Sequence, residues 1–406
     1  MQTKKVILPG SKSETNRGLI LQHITQGKFK VENPSNAADS RLLMDLLKRI
    51  ENNGNLEDTL VLDCGPAGTT FRFLTALCAF TPGKYLITGS ARMKERPISD
   101  LVEALTLMGA QITYQEKEGY PPLAINGLTP PKKASTRVAL NTSSQFLSAL
   151  LLLSPFFEKG LEIKTIGKGG SKPYINMTLG FLEMLGAQIK VSDTRYLMEL
   201  KEHRACSYRV NPDWSAASYW YLIALALDSS IILSGLKKES LQGDAILTSL
   251  FKSFGINTHF TNEGARLVNG EGDNTAFNYN FSDCPDLAQS FMIACVLTKR
   301  EGNFAGLDSL KVKETDRILA MQQELAKIGW RLEEKPNGDY HLYQESVIPK
   351  SEVVISTYED HRMAMAFAPL AILNKNIAIS NPEVVDKSYP NFWKDINSFN
   401  LKPKFA

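Results

Sequence analysis

The stretch Leu105-Thr-Leu-Met-Gly-Ala-Gln-Ile112 recurs further along the chain as Leu182-Glu-Met-Leu-Gly-Ala-Gln-Ile189. In both copies a leucine-rich segment ends at a glycine, which is typical of a helix C-terminus that leads into a strand. Looser copies are Leu250-Phe-Lys-Ser-Phe-Gly-Ile, Leu325-Ala-Lys-Ile-Gly-Trp and, in degenerate form, Leu46-Leu-Lys-Arg-Ile-Glu-Asn-Asn-Gly. This recurrence predicts that one structural unit is repeated along the chain.

The spacing of the repeat indicates the class of fold. Glycines of the clear copies stand at positions 109, 186, 255 and 329, so the repeat is about 70 residues long, which exceeds the usual solenoid repeat. Short β-branched runs between the predicted helices are typical of strands; they lie at residues 163–166, 231–233, 353–356 and 377–380. Alternating strands and helices predict an α/β fold made of several copies of one unit.

Composition limits the remaining possibilities. The chain has 406 residues, 43% hydrophobic and 22% charged, as expected for a globular protein of two domains. A net charge of +3 is too mild to favour a nucleic-acid binder. The longest apolar run, residues 219–227, is too short for a membrane span, and residues 1–10 lack the apolar core of an export signal. We therefore expect a cytoplasmic protein that binds neither nucleic acid nor membrane.

Cysteine and histidine usage predicts neither disulfides nor a metal. The five histidines form no metal-binding motif, so we expect no metal and no cofactor. The five cysteines are odd in number, are scattered, and include no C-x-x-C spacing, which favours reduced thiols in a cytosolic protein. They are Cys64, Cys78, Cys206, Cys284 and Cys295.

The segment Lys311-Val-Lys-Glu-Thr-Asp-Arg317 packs cations and carboxylates immediately before an apolar run at helical spacing. It therefore predicts a helix start, with Thr315 or Asp316 as the cap and Arg317 on the first turn, within reach of Glu314 or Lys313. Free amide groups and cations at a helix start suit an anion, and the adjacent carboxylate could carry a proton. The alternative is an ordinary solvated helix start whose charges offset one another.

Other charged or small-residue segments also precede predicted helices. Lys12, Ser13 and Arg17 follow a strand and a Pro-Gly break, where they could clasp a phosphate. Gly68 would allow the backbone to approach a ligand closely, with Arg72 one turn further on, although a tight strand-to-helix turn would also explain it. Neither segment is a Walker loop, and the chain contains no G-x-G-x-x-G, so nucleotide binding is unsupported.

A third segment, residues 89–98, places Arg92, Lys94 and Arg96 at alternate positions. An extended chain would point all of them to one side, where they would repel unless an anion lay there. A solvated loop could equally hold them.

Hydroxyl and amide groups open further predicted helices. Ser143, Ser144 and Gln145 could donate to a phosphate or to sugar-like hydroxyls, although helix capping alone would explain one serine. Ser171 and Tyr174, which follow a glycine-rich stretch, are further possible hydrogen-bond donors. Later in the chain come Asp286, Arg362 and Lys387, each near a break or a helix start. The placement of cations at or just before predicted helix starts is the strongest physical argument for an anion-binding protein.

Taken together, these segments resemble the EPSP synthase family of 3-phosphoshikimate 1-carboxyvinyltransferases, in register from residue 9 to about residue 393. Pro66 stands where enteric relatives have asparagine, and Ser309-Leu-Lys replaces an Asn-Trp-Arg, so Ser309 is left out of the implied site. The matching segments are Pro9-Gly-Ser-Lys-Ser with Asn16-Arg17, Ala67-Gly-Thr, Arg92-Met-Lys-Glu-Arg-Pro-Ile, Ser143-Ser-Gln-Phe, Ser171-Lys-Pro-Tyr-Ile, Pro285-Asp286, Lys313-Glu-Thr-Asp-Arg, Asp360-His-Arg-Met-Ala-Met and Lys387-Ser-Tyr-Pro.

The resemblance implies a two-domain enolpyruvyl-transferase fold, each domain made of three copies of a βαβαββ unit, with the active site in the interdomain cleft. The extreme N-terminus joins the C-terminal domain in this family. Domains of residues 1–13 with 213–406, and of residues 14–212, are therefore expected. Cations that converge from both domains would repel one another in the empty cleft, so we expect closure when substrate binds.

The resemblance also implies the substrates and their ligands. The substrates are shikimate 3-phosphate and phosphoenolpyruvate, and the protein is expected to act as a monomer. Shikimate 3-phosphate would contact Lys12, Ser13, Arg17, Ser143, Ser144, Gln145, Ser171, Asp286 and Lys313. Phosphoenolpyruvate would contact Lys12, Gly68, Arg92, Gln145, Arg317, Arg362 and Lys387.

The implied reaction transfers the enolpyruvyl group to the 5-hydroxyl of shikimate 3-phosphate and releases phosphate. It needs an acid near the methylene carbon and a base near the hydroxyl. The expected donor is Glu314, with a raised pKa, and the expected base is Asp286, while Lys12 stabilises charge in the transition state. Gly68 also implies inhibition by glyphosate, and Pro66 is a departure from the family pattern beside it.

Two rival functions remain. A UDP-N-acetylglucosamine enolpyruvyl transferase shares fold and chemistry but uses a reactive loop cysteine and lacks the segments at residues 92–98 and 171–175. A nucleic-acid binding protein would need a wide basic face with stacking aromatics, which this sequence does not contain.

Overall fold

The computed structural model describes residues 4–140, 144–167, 171–200, 202–227, 230–347 and 351–406. The chain divides into two compact units. Unit 1 comprises residues 4–11, 36–38 and 211–406, and unit 2 comprises residues 12–35 and 39–210. The domains predicted from the sequence, with boundaries after residues 13 and 212, remain a prediction. The division into units differs from them in also assigning residues 36–38 to unit 1.

The strands are short and regularly spaced. In chain order they are β1 (Lys4–Val6), β2 (Phe29–Glu32), β3 (Thr59–Asp63), β4 (Gly83–Thr88), β5 (Gln111–Tyr114), β6 (Leu123–Gly127), β7 (Ala134–Ala139), β8 (Leu161–Ile166), β9 (Gln188–Ser192), β10 (Arg195–Glu199), β11 (Cys206–Arg209), β12 (Ile231–Ser234), β13 (Ile256–Thr261), β14 (Gly264–Asn269), β15 (Phe277–Asn280), β16 (Gly302–Ala305), β17 (Trp330–Glu334), β18 (Tyr340–Gln344), β19 (Val353–Ile355), β20 (Ile377–Ile379) and β21 (Lys404–Phe405). The β-branched runs noted in the sequence coincide with parts of β8 and β12 and, to within one residue, with β19 and β20, so their prediction as strands is confirmed.

Helices lie between these strands. They are α1 (Lys12–Ile24), α2 (Ala38–Glu51), α3 (Gly68–Ala79), α4 (Ala91–Lys94), α5 (Ser99–Leu107), α6 (Ser144–Leu152), α7 (Lys172–Met184), α8 (Trp214–Leu227), α9 (Leu247–Lys252), α10 (Ala288–Thr298), α11 (Arg317–Lys327), α12 (His361–Leu373) and α13 (Phe392–Ser398). Short 3₁₀ helices include Gly243–Ile246, Pro285–Leu287, Asp308–Val312 and Pro382–Lys387.

The repeat seen in the sequence is a repeat of sheet topology. Within the described residues, four sheets share one arrangement: β3-β4-β6-β5 and β7-β8-β10-β9 in unit 2, and β1-β12-β14-β13 and β15-β16-β18-β17 in unit 1. In each, the first two strands are parallel and the last two form an antiparallel hairpin. The α/β prediction is confirmed. The sheets β19-β20-β21 and β2-β11 differ, because all their strand pairs are parallel.

The glycines of the repeated phrase end their helices as predicted. Gly109, Gly186, Gly255 and Gly329 have φ of 98°, 95°, 84° and 78°, the left-handed conformation that favours glycine at a helix C-terminus. Strands β5, β9, β13 and β17 begin one or two residues after them. The degenerate copy differs, because α2 ends at Glu51 and Gly54 does not take a positive φ.

Helices that are apolar all round form the core of each unit. In unit 1, α8, α10 and α12 pack on one another, and nearly every side chain of α10 and α12 is buried. In unit 2, α3 and α6 are buried in the same way and pack together, with α1 and α7 against them. Burial of their apolar sides fixes these helices, and their N-terminal turns carry the polar residues singled out above.

Candidate functional site

Helix α11 begins as the sequence predicts. Asp316 is the N-cap, and its Oδ1 accepts the amide hydrogens of Ile318 and Leu319, each at 3.1 Å. Arg317 is therefore the first helical residue, and the prediction of a capped helix start is confirmed.

The buried guanidinium of Arg317 lies among carboxylates of unit 1. Its Nε donates to Asp360 Oδ2 at 2.6 Å, its Nη1 to Asp286 Oδ1 at 3.0 Å and its Nη2 to Glu314 Oε2 at 2.8 Å. Burial disfavours the charge on Arg317, but these carboxylates, Asp360 foremost, outweigh it and raise its pKa above the ordinary value. Arg317 is therefore a fixed cation, and its planar guanidinium group can donate hydrogen bonds to acceptors in several directions.

Asp286, on the 3₁₀ helix Pro285–Leu287, collects further cations. Arg362 donates from Nη2 to Asp286 Oδ2 at 3.0 Å, and Lys313 Nζ lies 3.6 Å from Asp286 Oδ1. Burial alone would raise the pKa of Asp286, but its cationic neighbours, Arg362 first among them, hold it well below the usual range. Asp286 is therefore ionised in this arrangement.

Glu314 lies between Lys387 and Arg317. Lys387 Nζ is 3.2 Å from Glu314 Oε1, on the opposite side from the Arg317 contact, and all these side chains are largely buried. Lys387 is the last residue of the 3₁₀ helix Pro382–Lys387 and lies a few residues before α13, near a helix start as the sequence predicts. The cluster thus brings together Asp286, Lys313, Glu314, Arg317, Arg362 and Lys387.

Two further carboxylates, Asp360 and Asp244, lie beside this cluster and have no role predicted from the sequence. Asp360 caps α12 by accepting the amide of Arg362 at 2.8 Å, and an aspartate before an apolar helix is a cap signal that could have marked it. Asp244 is buried and accepts a hydrogen bond from Ser215, which lies 3.4 Å from Arg362 Nη2. Burial, followed by the charge of Asp286, raises the pKa of Asp244 to about 7. No sequence pattern marks Asp244.

In unit 2, Lys12 opens α1 and pairs with a carboxylate. Its Nζ donates to Asp39 Oδ2 at 3.0 Å, and Asp39 stands on the first turn of α2. This contact places an ammonium group at the helix start where the sequence predicts an anion site.

Arg17 connects the N-terminal halves of several unit 2 helices. Its Nη1 donates to Ser13 O at 3.1 Å, its Nη2 to Ser148 Oγ on α6 at 3.2 Å, and its Nε to Thr178 Oγ1 on α7 at 2.8 Å. The guanidinium also lies 5.5 Å from the ring centre of Tyr174. Burial lowers the pKa of Arg17 to about 10, so the group stays charged at neutral pH.

Gly68 stands at the start of α3 with two arginines directly beside it. A Cβ at Gly68 would lie 2.5 Å from Arg96 Nη1 and 2.8 Å from Arg72 Nη1. Gly65, at φ 49°, makes the tight turn from β3, so the structural explanation of these small residues is correct as well. The result is a helix start with two guanidinium groups beside its first turn, a favourable place for an anion.

Of the two alternatives for residues 92–96, the extended conformation is wrong. Residues Ala91–Lys94 form one helical turn capped by Ser90, so alternate positions do not share a face. Arg92 turns to Glu95 at 2.9 Å, Lys94 pairs with Glu116, and Arg96 is buried beside Gly68. Arg96 alone of the three cations is therefore buried beside the start of α3.

The hydroxyl and amide residues also occupy helix starts in unit 2. Ser144 begins α6, and Gln145 Nε2 lies 3.4 Å from Thr69 Oγ1 on α3. Ser171 is the N-cap of α7 in a left-handed conformation, φ 64°, and its side chain makes no capping bond. Ser143 lies outside the described residues.

The cysteine thiols are not suited to nucleophilic chemistry. Burial raises the pKa of Cys284 and of Cys295 to about 12. It also raises the pKa values of Cys64, Cys78 and Cys206 above their ordinary value. A thiolate is the reactive form, so these thiols stay unreactive at neutral pH.

The described part of the chain shows neither a metal-binding cluster nor a membrane-spanning helix. No cluster of three or more His, Cys, Asp or Glu side chains there could hold a metal ion. Among the helices described, none is both long and apolar enough to cross a membrane.

The fold and these clusters define an α/β protein of repeated units whose helix starts, carrying cations and carboxylates, suit small anionic molecules. The family description "EPSP synthase (3-phosphoshikimate 1-carboxyvinyltransferase)" matches residues 1–396. The chain belongs to the EPSP synthase family.

Individual relatives agree with this assignment. A 3-phosphoshikimate 1-carboxyvinyltransferase of Bacteroides fragilis (strain YCH46) is 41% identical over 401 residues, which cover 97% of this chain and 95% of the relative. One of Sulfurovum sp. (strain NBC37-1) is 33% identical over 419 residues, covering 98% and 96%. A solved EPSP synthase structure from Acinetobacter baumannii has a TM-score of 0.71 at 20% identity, covering 98% and 95%. The predicted enolpyruvyl-transferase fold is confirmed.

Proposed function

We propose that this protein transfers the enolpyruvyl group of phosphoenolpyruvate to the 5-hydroxyl of shikimate 3-phosphate and releases phosphate. Membership of the EPSP synthase family supports this reaction over transfer to a UDP-sugar. The observation that carries the proposal is the buried cluster of unit 1, where Arg317, Arg362 and Lys387 meet Asp286 and Glu314. Fixed cations beside two carboxylates are what an acid–base reaction between anionic substrates requires.

The substrate contacts proposed are those implied by the family motifs. Shikimate 3-phosphate would bind Lys12, Ser13, Arg17, Ser143, Ser144, Gln145, Ser171, Asp286 and Lys313. Phosphoenolpyruvate would bind Lys12, Gly68, Arg92, Gln145, Arg317, Arg362 and Lys387. Arg72 and Arg96 join the second group because of their position beside Gly68.

In the proposed mechanism, Glu314 donates a proton to the methylene carbon of phosphoenolpyruvate while the 5-hydroxyl oxygen attacks the neighbouring carbon. Asp286 accepts the hydroxyl proton. Phosphate then leaves the tetrahedral intermediate together with that proton, while Glu314, left as a carboxylate, takes a proton back from the new methyl group and so restores the double bond. Asp286 is a weak base while Arg362 and Lys313 face it. Anionic substrate groups that take over those cations would strengthen it, so binding and proton transfer are linked.

Three finer proposals accompany the reaction. The protein is proposed to work as a monomer and in the cytoplasm, the latter supported by five free cysteines in a chain without disulfides. Glyphosate is proposed as an inhibitor competitive with phosphoenolpyruvate, supported by Gly68 at the start of α3. Size-exclusion chromatography tests whether the protein is a monomer, and steady-state kinetics test whether glyphosate competes with phosphoenolpyruvate.

One assay decides the reaction. Phosphate release is measured with phosphoenolpyruvate and either shikimate 3-phosphate or UDP-N-acetylglucosamine as acceptor. We expect turnover with the first acceptor alone. Turnover with the UDP-sugar, or with neither acceptor, would overturn the proposal.

A further inference from the structure

The segment between β19 and α12 contains an unusual turn. Asp360 donates its amide to Thr357 O at 2.8 Å, and the two central residues, Tyr358 and Glu359, have φ of 52° and 56°. Positive φ at both central positions is the pattern of a type I′ turn, which glycine and asparagine favour and bulkier residues resist. This turn therefore needs support from its surroundings, and it leads directly into Arg362.

Glu324 supplies that support from α11. Its carboxylate is fully buried and accepts the hydroxyl of Tyr358 at 2.6 Å and the amide of Ser356 at 3.0 Å. Lys327 Nζ contacts both carboxylate oxygens, at 2.9 and 2.7 Å, and balances the charge. Glu324 thus holds the chain at the turn and just before it.

The same helix holds the far end of the turn. Arg317 and Glu324 lie seven positions apart, about two helical turns, and so share one face of α11. Arg317 Nε bonds Asp360 Oδ2 at 2.6 Å, where the turn ends. Asp360 in turn bonds the amide of Arg362 at 2.8 Å, so the turn's position fixes the start of α12.

We propose that Glu324 is a positioning residue for phosphoenolpyruvate binding: it holds residues 357–360 in their left-handed turn and thereby places Asp360 and the guanidinium of Arg362. The proposal rests on the proposed function, in which Arg362 contacts phosphoenolpyruvate. Glu324 itself contacts no substrate. Its effect reaches the site through the backbone of the turn.

The variants that test this are Glu324→Ala and Tyr358→Phe, assayed in the full-length enzyme. We expect Glu324→Ala to raise KM for phosphoenolpyruvate about tenfold or more, because a binding group displaced by about 1 Å loses much of its effect. KM for shikimate 3-phosphate should stay within about twofold. Tyr358→Phe, which removes one of the two bonds, should give a smaller change in the same direction.

Lys327→Met is the matched control. It removes a partner of the same carboxylate and lowers stability, yet it leaves the bonds to Ser356 and Tyr358 in place. We expect a lower Tm with an unchanged KM for phosphoenolpyruvate. A change in that KM as large as in Glu324→Ala would mean that lost stability alone explains both variants, and the proposal would fail.

Rescue separates positioning from general packing. Glu359 is exposed, and Glu359→Gly removes the cost of its positive φ. The double variant Glu324→Ala/Glu359→Gly should recover most of the lost affinity for phosphoenolpyruvate. No recovery, or equal rises in both KM values in Glu324→Ala, would overturn the proposal. If the wild type does not use shikimate 3-phosphate at all, the proposed function itself fails, which is a distinct result.

Discussion

Glu314 has a cation on each side, Lys387 at 3.2 Å and Arg317 at 2.8 Å. As the proposed proton donor it is needed for chemistry more than for binding. We expect Glu314→Gln to lower kcat by at least about a hundredfold, because general acid catalysis contributes factors of that order, and to leave both KM values near the wild-type values. Steady-state kinetics with both substrates measure this.

The control for that variant is Glu345→Gln, which makes the same change at an exposed carboxylate paired with Arg331. It should behave as the wild type. Near-normal turnover in Glu314→Gln would remove Glu314 from the mechanism.

Asp244 gives a prediction about pH. Its pKa is raised by burial from an ordinary 3.8 to about 7, so the folded state favours the protonated form. The resulting stability is fully present below the unfolded pKa and is lost as pH rises towards 7. Asp244→Asn, which stays neutral, should gain stability relative to the wild type by about 1 to 3 kcal/mol between pH 5 and pH 8.

Chemical denaturation at both pH values tests this, with the exposed Asp193→Asn as control. The control should show no pH-dependent difference from the wild type. An Asp244→Asn variant whose relative stability is the same at both pH values would contradict the prediction.

At the scale of elements, the start of α3 leaves little space for a side chain at Gly68. A methyl group at Gly68 would have to displace the guanidinium groups of Arg96 and Arg72, which lie 2.5 and 2.8 Å from its position. Since these are flexible ends, the fold should survive while the anion site changes. We expect Gly68→Ala to raise KM for phosphoenolpyruvate about tenfold, with weaker inhibition by glyphosate and a Tm close to that of the wild type.

Gly54→Ala is the comparison for that substitution, because nothing lies within 4 Å of its added methyl group and its φ is not positive. Its kinetics should be unchanged. Equal kinetics in Gly68→Ala and Gly54→Ala would show that the guanidinium groups beside Gly68 do not serve the substrate.

The elements themselves could largely be predicted from the sequence, since they depend on local patterns. Asp316 marks the start of α11 because its side chain caps the helix. Gly109 and Gly186 mark helix C-termini because glycine readily takes a positive φ. Residues 91–94 were mispredicted because alternating cations are compatible with a helical turn as well as with an extended chain.

The candidate site could be predicted less completely. Its contacts join residues far apart in sequence, such as Arg17 with Thr178 and Arg317 with Asp360. Residue spacing predicts neighbours on one element, not partners on different ones. The family motifs include Asp286 and Arg362. Asp244 and Glu324 belong to none of those motifs, and only the folded structure shows their contacts.

At the scale of the whole molecule, the cations proposed to contact shikimate 3-phosphate include Lys12, Arg17 and Lys313. Shikimate 3-phosphate at about 100 times its Kd should stabilise the folded protein by about 2.7 kcal/mol. Shikimate at the same concentration should stabilise it less, because it lacks the phosphate that the cations bind. Scanning calorimetry measures both, and equal shifts from the two ligands would contradict phosphate recognition.

The pairing of β1 with β12 also bears on how the protein is made. Residues 4–6 leave the ribosome early, yet their parallel partner Ile231–Ser234 follows more than 200 positions later. At about 5 to 20 residues per second, translation of that interval takes roughly 10 to 45 seconds. Throughout that time the nascent strand has an unsatisfied edge, so the sheet closes only late in synthesis, and newly made chains should be a substrate for chaperones at this stage.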